Sequence, residues 1–433
     1  MSDIDTIFAL SSAPGRAGVS VLRLSGPVAG EALSTMTGRA LPAPRVASLQ
    51  ALKDADGTVI DRPLVLWFPA PRSFTGEDCV EIHVHGSVAI IEAVATRLLA
   101  LGLRQARPGE FTRRAVEHGK MDLTEAEGLA DLIDARTEGQ RLQALQNMDG
   151  RLRETYELWQ ARLLDALAQI EGEIDFADEA DVPDALSHAA YPHLSFVADD
   201  MRAALASSTQ ARAVRDGIQV AIIGVPNAGK STLLNALVKR DVAITSPQAG
   251  TTRDIVEAQT VIAGLPVTFA DTAGLRETAD AIEAEGVRRA LARAEDAHVT
   301  IYVERPDLGE TTPKTRASDI IFTNISETYE GFGAISGNLS RGEGVTKLLA
   351  KIEAIILSRF AGLENAALTR ARHVDLISRS ASAVSDAMER LGDMPELASE
   401  DIRAALTALE ELAGRSDVEQ VFDRIFSSFC IGK

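Results

Sequence analysis

Gly224-Val225-Pro226-Asn227-Ala228-Gly229-Lys230-Ser231 is the stretch that decides the fold of the central part of this chain. It fits the phosphate-binding pattern G-x-x-x-x-G-K-[S/T], in which glycines let backbone N–H groups turn toward a phosphate chain. Residues 220–223 before it predict a buried strand, and residues 232–238 after it predict the start of a helix. The pattern requires this strand–loop–helix context. We therefore expect Lys230 to reach the β- and γ-phosphates and Ser231 to ligate Mg²⁺.

Two further motifs follow in the order that a nucleotide switch needs. The first is Gly250-Thr251-Thr252-Arg253-Asp254, whose threonine hydroxyls suit Mg²⁺ and the γ-phosphate. The second is Asp271-Thr272-Ala273-Gly274, preceded by a predicted strand over residues 267–270. Each motif is weak alone, but together with the phosphate loop they indicate a Ras-like P-loop GTPase domain with a mostly parallel sheet.

Two positions depart from the usual GTPase pattern. Leu275 stands where many GTPases carry the glutamine that orients the attacking water. Glu283 is the best local substitute, although an ordinary solvated helix glutamate explains it equally well. In the base pocket, Asn324-Ile325-Ser326-Glu327 replaces the usual Asn-Lys-x-Asp. We therefore expect weakened selectivity or affinity for guanine.

Composition bounds the class of protein. At 433 residues the chain is long enough for two or three domains, and its net charge of −19 excludes a bulk polyanion binder. Residues 1–116 hold 12 Lys and Arg against 11 Asp and Glu, whereas residues 117–212 hold 8 against 20. Two cysteines, Cys79 and Cys430, exclude a disulfide framework or zinc cluster. With no signal segment and no apolar run near 18 residues, we expect a cytoplasmic protein.

The hydrophobic pattern predicts an α/β and α multidomain chain in four segments. These are an α/β domain over 1–118, helical segments over 119–213 and 361–433, and a nucleotide domain over 214–360. Within the first segment, strands are expected at 18–24, 59–68 and 80–84 and a helix at 89–101. Breaks in the helical segments are expected at 181–184 and at Gly414. The simplest architecture is one discontinuous helical-bundle domain with the nucleotide domain inserted in it.

Motifs outside the nucleotide domain carry a more specific resemblance. They are Asp5-Thr6-Ile7, Pro14-Gly15-Arg16-Ala17-Gly18-Val19, Ser73-Phe74-Thr75-Gly76-Glu77-Asp78, Glu81-Ile82-His83-Val84-His85-Gly86, Arg107-Pro108-Gly109-Glu110-Phe111-Thr112 and Phe429-Cys430-Ile431-Gly432-Lys433. Together with the inserted GTPase, they resemble the bacterial tRNA modification GTPase family (MnmE, also called TrmE) over essentially the whole chain. GTPases in general do not carry these end motifs, so the resemblance is specific.

The resemblance implies that the N-terminal domain binds tetrahydrofolate and dimerises. The family's folate-contacting positions fall on Arg23, Glu81, Lys120 and Lys433. A cation can pair with the glutamate tail of folate, and a carboxylate can accept two hydrogen bonds from its 2-aminopterin edge. From the residues alone, Arg23 and Glu81 could be ordinary strand-face charges and Lys120 a helix-cap cation.

Histidine and cysteine residues near these motifs also invite functional interpretations. His83 and His85 share a strand face, which suits a pocket wall better than a metal pair because no further ligands cluster nearby. The family's Cys-x-Gly-Lys end suggests a functional thiol at Cys430, with a small buried apolar residue as the alternative. Cys79 is expected in the core.

The resemblance also implies how GTP is bound and hydrolysed. A K⁺ ion beside the β- and γ-phosphates supplies charge, Glu283 orients water, and nucleotide domains pair across their switches. The implied GTP contacts are Asn227, Ala228, Gly229, Lys230, Ser231, Thr232, Ser246, Pro247, Gln248, Ala249, Gly250, Thr251, Thr252, Asp271, Thr272, Ala273, Gly274 and Asn324. The implied metal ligands are Ser231 and Thr252 for Mg²⁺, and Asn227, Ser246, Gln248 and Thr251 for K⁺. The candidate catalytic residues are Lys230, Glu283 and Cys430.

For the whole protein, the resemblance implies a homodimeric GTPase acting on tRNA, with no membrane partner. A flavin- and NADH-using protein of the MnmG family would complete a heterotetramer. Together they would place an aminomethyl or carboxymethylaminomethyl group on C5 of uridine 34, with carbon from a 5-formyl or methylene tetrahydrofolate. GTP hydrolysis to GDP and phosphate would drive domain motion. Two alternatives remain: a GTP-regulated assembly factor, for instance in ribosome maturation, and a family member that binds nucleotide poorly.

Overall fold

The chain folds into two compact units. The first contains Met1–Ala130 and Glu410–Lys433, and the second contains Asp131–Leu409. The structure, a computed structural model, describes residues 5–175, 186–224, 227–240, 257–271, 297–306, 319–325, 335–360, 362, 367–415, 419–427, 429 and 431–432. The domain boundaries drawn from the sequence at 118, 213 and 360 stay predictions.

A six-stranded sheet forms the centre of the first unit. The strands of this unit are β1 (Ile7–Leu10), β2 (Ala17–Ser25), β3 (Ser48–Leu49), β4 (Leu52–Lys53), β5 (Val59–Asp61), β6 (Leu64–Phe68), β7 (Cys79–Gly86) and β8 (Arg104–Gln105). The sheet order is β3-β6-β7-β2-β1-β8, and β4 and β5 form a separate hairpin. Alternation along β7 buries Val80, Ile82 and Val84, so its other face carries Glu81 and the histidines.

The predicted strand over residues 59–68 is wrong as a single element. It is two strands, β5 and β6, which pair with different partners on either side of Arg62-Pro63. Proline has no N–H to donate to a ladder, so a continuous strand cannot run through this position. The predictions at 18–24, 80–84 and 89–101 are confirmed by β2, β7 and the second helix.

Helices cover the first sheet and continue into the second unit. They are α1 (Ala29–Thr37), α2 (Val88–Ala100), α3 (Glu110–Glu117), α4 (Leu123–Asp134), α5 (Glu138–Met148), α6 (Arg151–Asp175) and α7 (Leu186–Asp216). The long α6 and α7 pack together, and the Trp159 indole on α6 donates to an Asp200 carboxylate oxygen on α7 at 2.7 Å. The break predicted at 181–184 lies outside the described residues.

The second sheet has the strand order of the predicted nucleotide domain. Its strands are β9 (Ile218–Gly224), β10 (Glu257–Ile262), β11 (Leu265–Asp271), β12 (Val299–Glu304), β13 (Ile320–Asn324) and β14 (Ser336–Gly337). The order is β10-β11-β9-β12-β13-β14, and only the β10–β11 pair is antiparallel. Helices α8 (Lys230–Arg240) and α9 (Val345–Phe360) pack with this sheet. The predicted Ras-like, mostly parallel architecture is confirmed.

Helical structure returns after the nucleotide domain, as predicted. Helix α10 (Ala371–Arg390) packs on α7, and α11 (Pro395–Ala413) follows it. Gly414 ends α11 with a φ of 77°, which explains the predicted break. Among the helices that the structure describes, none combines the length and apolar character needed to cross a membrane.

The end of the chain belongs to the first unit. Helix α12 (Glu419–Phe426) and Phe429 pack their aromatic rings against Leu123 and Ala126 of α4. Ile431 forms a bridge with Pro108, and the Ser11 hydroxyl donates to the Gly432 carbonyl at 2.9 Å. A Cβ on Gly432 would lie 2.3 Å from the Leu10 carbonyl oxygen, so only glycine fits this approach.

Candidate functional site

The phosphate loop joins the central strand of the second sheet to the helix that follows it. β9 ends at Gly224, and α8 begins at Lys230. β9 runs parallel to both neighbours, β11 and β12, so the carboxyl ends of these strands meet at one edge. Ligands of open parallel sheets bind at this edge, which makes the loop a well-placed phosphate site. Val225 and Pro226 lie outside the described residues.

Backbone conformation shapes the loop. Gly229 has a φ of 101°, and a Cβ there would lie 2.6 Å from the Asn324 amide nitrogen. Asn227 also has a positive φ, 62°, which asparagine tolerates better than most residues. The Asn324 Nδ2 group, at the end of β13, donates to the Ala228 carbonyl at 2.8 Å. Asn324 therefore ties the loop to the neighbouring strand end.

The ammonium of Lys230 lies within the loop. Its side chain is buried, and Nζ donates to the Gly224 carbonyl oxygen at 2.8 Å. Lys230 also begins α8, whose first turn directs backbone N–H groups and the positive dipole end toward the loop. A buried ammonium beside a helix N-terminus fits a polyphosphate. Ser231 and Thr232 follow it and are exposed.

Many of the predicted nucleotide contacts fall outside the described residues. Those that the structure describes are Asn227, Ala228, Gly229, Lys230, Ser231, Thr232, Asp271 (backbone only) and Asn324. Those outside it are Ser246, Pro247, Gln248, Ala249, Gly250, Thr251, Thr252, Thr272, Ala273, Gly274 and Glu283. The roles of both groups stay predictions.

Sequence reasoning missed three residues near the loop, Glu304, Arg305 and Thr323. The Thr323 hydroxyl donates to a Glu304 carboxylate oxygen at 2.6 Å, which links the ends of β13 and β12. The Arg305 Nη1 group donates to the Asn227 carbonyl at 3.3 Å, and therefore supports the loop backbone. The available signal was position, because charged residues that directly follow an apolar parallel strand lie at the ligand edge.

At the predicted base pocket, only part of the motif is described. The Asn324 Oδ1 atom accepts from the Leu339 N–H at 3.4 Å, so both ends of its amide are directed at backbone. The Ile325 N–H donates to the Gly337 carbonyl at 3.1 Å. Ser326 and Glu327 lie outside the described residues. Asn324 therefore acts on the phosphate loop, and the guanine contacts stay a prediction.

The first unit brings together two of the predicted folate residues. Arg23 on β2 lies opposite Glu81 on β7 in the antiparallel register, and their side chains pair at 2.9 Å. The Arg23 guanidinium also lies 5.2 Å from the ring centre of Phe74 and 5.9 Å from that of Phe111. Both members of the pair keep about a fifth of their side-chain surface exposed. A ligand could therefore replace either partner with its own carboxylate or aminopterin edge.

Lys120 lies against the loop that contains Gly76. Its backbone N–H donates to the Ala115 carbonyl at the end of α3, as expected of a helix-terminal residue. Its side chain runs over Gly76, whose Cβ position would be 2.9 Å from the Lys120 Cε atom. His118 contacts the same loop, with Nδ1 at 2.7 Å from the Thr75 carbonyl. Lys433 lies outside the described residues.

His83 and His85 each lie against a carboxylate. His83 Nε2 is 3.4 Å from Glu81 Oε2, and His85 Nδ1 is 2.8 Å from Asp61 Oδ1. Burial alone would raise the pKa of Asp61, but hydrogen bonds from His85 outweigh it and the pKa is lowered. Over the described ranges, no three His, Cys, Asp or Glu side chains group as metal ligands. The histidines therefore belong to a strand face that also carries Glu81.

An ion network beside the C-terminal segment was also missed from the sequence. Arg104 and Arg114 both bind Asp5 and Glu110, and Arg114 also binds Glu77 at 3.1 Å. Burial would raise the pKa of Glu110, but the hydrogen bond from Arg104 and other cationic contacts lower it. The hydrogen bond from Arg104 likewise lowers the pKa of Asp5. The network fixes the start of α3, which Pro108 joins to Ile431.

The structure describes one of the two cysteines. Cys79 is buried, as predicted, with its thiol 3.2 Å from the Thr75 hydroxyl. Cys430 lies outside the described residues, although Phe429, Ile431 and Gly432 around it contact the first unit. A thiol role for Cys430 stays a prediction.

Comparison with known proteins covers the chain from end to end. A family model described as the GTP-binding protein TrmE N-terminus matches residues 6–120, and one described as the MnmE helical domain matches residues 123–430. The tRNA modification GTPase MnmE of Maricaulis maris (strain MCS10) is 52% identical over 435 residues, 99% of each protein. That of Parvibaculum lavamentivorans is 49% identical over 441 residues, 99% of this chain and 100% of the relative. Among solved structures, the G domain of the T. maritima FeoB iron transporter is 20% identical, covers 32% of this chain and 98% of that chain, and has a TM-score of 0.22.

Proposed function

This chain belongs to the MnmE family of tRNA modification GTPases, and we propose that it hydrolyses GTP to GDP and phosphate during modification of tRNA uridine 34. The observation that carries the proposal is the phosphate loop, tied down by Asn324 at the ligand edge of a parallel sheet. The working assembly would be a cytoplasmic homodimer joined by an MnmG-family flavoprotein. The product would carry an aminomethyl or carboxymethylaminomethyl group on C5.

Lys230 is the proposed binder of the β- and γ-phosphates. Its ammonium, which bonds to the Gly224 carbonyl, would exchange that oxygen for phosphate oxygens without moving out of the loop. Ser231 and Thr252 would hold Mg²⁺, which neutralises charge on the phosphate oxygens when bound. Asn324 and Arg305 contribute by holding the loop carbonyls, so that the N–H groups of the loop stay turned toward the nucleotide.

Hydrolysis needs a residue that orients water, because Leu275 cannot form a hydrogen bond. We assign this role to Glu283. The ligands proposed for K⁺ are Asn227, Ser246, Gln248 and Thr251. The bound cation would supply the positive charge that an arginine finger supplies elsewhere. If Na⁺ supports turnover as well as K⁺ does, the proposed K⁺ site is wrong. If Glu283→Ala keeps full turnover and intact GTP binding, Glu283 does not orient the attacking water.

We propose that the base-binding end of the nucleotide site discriminates only weakly between guanine and other purine bases. With isoleucine and glutamate in place of the usual lysine and aspartate, the carboxylate that reads guanine is displaced by a longer side chain. Competition between XTP and GTP measures this directly. Similar affinities support the proposal, whereas a GTP preference of several kcal/mol contradicts it.

The first unit is the proposed one-carbon site. The Arg23–Glu81 pair, with Phe74 and Phe111 against the guanidinium, fits a ligand that has both a carboxylate tail and an aminopterin ring. Lys120 and Lys433 would add cations for the tail, and Cys430 a thiol near the transferred carbon. Calorimetry with 5-formyl-tetrahydrofolate tests the site. An absence of binding would favour the alternative of an assembly factor without carbon transfer.

The proposed function as a whole is tested in cells. We expect deletion of the gene to abolish the modified uridine 34 in tRNA, as measured by nucleoside mass spectrometry. The wild-type gene should restore it and Lys230→Ala should not. An unchanged modification level in the deletion strain would defeat the proposal.

A further inference from the structure

A single carboxylate, that of Asp131, binds an arginine on each side of the inserted nucleotide domain. Its Oδ1 atom accepts from Arg215 Nε at 2.9 Å and from Arg370 Nη2 at 2.6 Å. Arg215 is the penultimate residue of α7, immediately before the chain enters β9. Arg370 directly precedes α10, after the chain has left α9. Asp131, in the last turn of α4, therefore binds both connections of the domain at one oxygen atom. We call these connections, at Arg215 and at Arg370, the two crossings.

Burial makes these contacts stronger than ordinary surface ion pairs. The side chains of Asp131, Arg370 and Arg215 are 14%, 19% and 30% exposed. In such surroundings a charge pair is weakly screened by solvent and salt. Loss of the Asp131 carboxylate would remove the contact that Arg215 and Arg370 share, while Arg215 keeps its pair with the Asp216 carboxylate at 2.8 Å.

Helix α5 reinforces the same two crossings. The Gln140 side-chain amide donates to the Arg215 carbonyl at 2.7 Å, and the Asn147 amide donates to the Thr369 hydroxyl at 3.3 Å. The Gly139 N–H donates to the Gly264 carbonyl at 3.2 Å, in the turn between β10 and β11. That hairpin runs from the end of one predicted switch segment to the start of the other. The turn of this hairpin is therefore hydrogen-bonded directly to the start of α5.

We infer that Asp131 is a positioning residue that couples the nucleotide state of the inserted domain to helices α5, α7 and α10. The inference rests on the proposed function, in which GTP hydrolysis drives motion of the domain. Asp131 is not among the predicted GTP contacts, so its substitution is expected to leave GTP binding unaltered. Its role is to hold the two crossings together. A movement of the β10–β11 hairpin would then displace the helices, whereas unlinked crossings would change conformation without moving the helices.

Hydrogen exchange of the full-length protein tests this role. Wild type and Asp131→Asn, which keeps the size of the side chain, are compared without nucleotide and with GDP, aluminium fluoride, Mg²⁺ and K⁺. In the variant, amides of residues 213–220 and 367–374 should exchange about tenfold faster. The change that the nucleotide produces in residues 138–148 of the wild type should be lost. The KM for GTP should stay within about twofold of the wild-type value.

Asp199→Asn is the matched control. Asp199 is also a carboxylate of the second unit paired with arginine, but it is exposed, and its partner Arg202, at 2.7 Å, lies within the same helix. It should leave exchange and the nucleotide response at wild-type levels. If Asp131→Asn keeps the nucleotide response in α5, or if wild type has none, the inference is overturned. Equal loss of the response in both variants also overturns it.

A second variant separates positioning from loss of folding. Arg370→Gln removes one of the two contacts, and its effect on the nucleotide response should not add to that of Asp131→Asn in the double variant. Additive effects would mean that the residues act independently, which contradicts a shared anchor. None of these readouts uses tRNA, so a failure of the proposed tRNA function would leave the result for Asp131 intact.

Discussion

The two candidate sites of this molecule are built by different means. The nucleotide site of the second unit is made of backbone from one continuous loop, with Asn324 as the latch. The candidate folate site of the first unit is made of side chains from separate strands, and Arg23 and Glu81 satisfy each other. The loop would bind a ligand mainly through backbone N–H groups, and also through Lys230, whose ammonium would exchange the Gly224 carbonyl for phosphate. The side-chain pair must exchange one partner for the ligand, so its affinity depends on the balance between the two.

The largest effect is expected at the phosphate loop. Lys230→Ala removes a buried ammonium that would bind developing charge, so GTP turnover should fall by about 100-fold or more. Binding of 5-formyl-tetrahydrofolate should be unchanged, because the candidate folate site lies in the other unit. Single-turnover hydrolysis and calorimetry on the same preparation measure both. A parallel loss of folate binding would contradict the independence of the two sites.

The second effect is at the side-chain pair. Arg23→Ala leaves Glu81 without its guanidinium and removes a cation for the folate tail, so folate affinity should fall by about 10-fold or more. GTP turnover should not change. Arg39→Ala, which removes an exposed arginine of the same unit, is the control and should bind folate normally. Normal folate binding by Arg23→Ala would return Arg23 to the status of a strand-face charge.

A smaller effect is expected at Asn324, whose side chain holds the phosphate loop. Asn324→Asp replaces the amide donor with a carboxylate that cannot donate to the Ala228 carbonyl, at a cost of roughly 1–2 kcal/mol, or about 10-fold in GTP affinity. Asn235→Ala, at an exposed position on α8 outside the predicted nucleotide contacts, should change affinity less. The measurement is GTP binding by equilibrium titration. Unchanged affinity in Asn324→Asp would show that the loop holds its shape without the latch.

The smallest expected effect is a difference between the two units in how their stability depends on pH. Burial lowers the pKa of His298, in the second unit, below its ordinary value of 6.5. The Asp216 carboxylate raises the same pKa by a smaller amount. Below pH 6.5 the unfolded chain therefore binds more protons than the folded chain. The stability that the neutral His298 contributes to the second unit is present above pH 6.5 and is lost as the pH falls below it. In the first unit the carboxyl groups with lowered pKa values include Glu110, Asp5 and Asp61, with ordinary values of 4.5, 3.8 and 3.8. That unit should therefore lose stability only in more acidic solution.

The two tryptophans allow this difference to be measured. Trp67 lies in the first unit and Trp159 in the second, and the chain has no others. Denaturant titrations of Trp159→Phe and Trp67→Phe between pH 4 and pH 8 would follow one unit each. The midpoint of the second unit should decline first as the pH falls, and His298→Gln should remove part of that decline. Coincident declines would contradict the assignment to His298.

The difference between the sites also explains what the sequence could predict. The phosphate loop is visible as a motif because its glycines meet local demands, such as the positive φ of 101° at Gly229. The Arg23–Glu81 pair depends on the register of two antiparallel strands, which no local pattern records, so only the family resemblance indicated it. The Asp131 contacts join residues 84 and 239 positions apart, which sequence reasoning could not connect. The single strand predicted over 59–68 was wrong because apolar character continued past Pro63 while backbone pairing could not.

The divided first unit has a consequence for protein synthesis. A ribosome makes residues 131–409 between the two pieces of this unit, which takes roughly 15 to 60 s at about 5–20 residues per second. During that interval the apolar surface of Leu123 and Ala126 has emerged, but Phe422, Phe426 and Phe429 have not. The nascent chain therefore carries an uncovered hydrophobic patch through most of its translation. We expect trigger-factor-like chaperones to engage the chain there until the final helix is released.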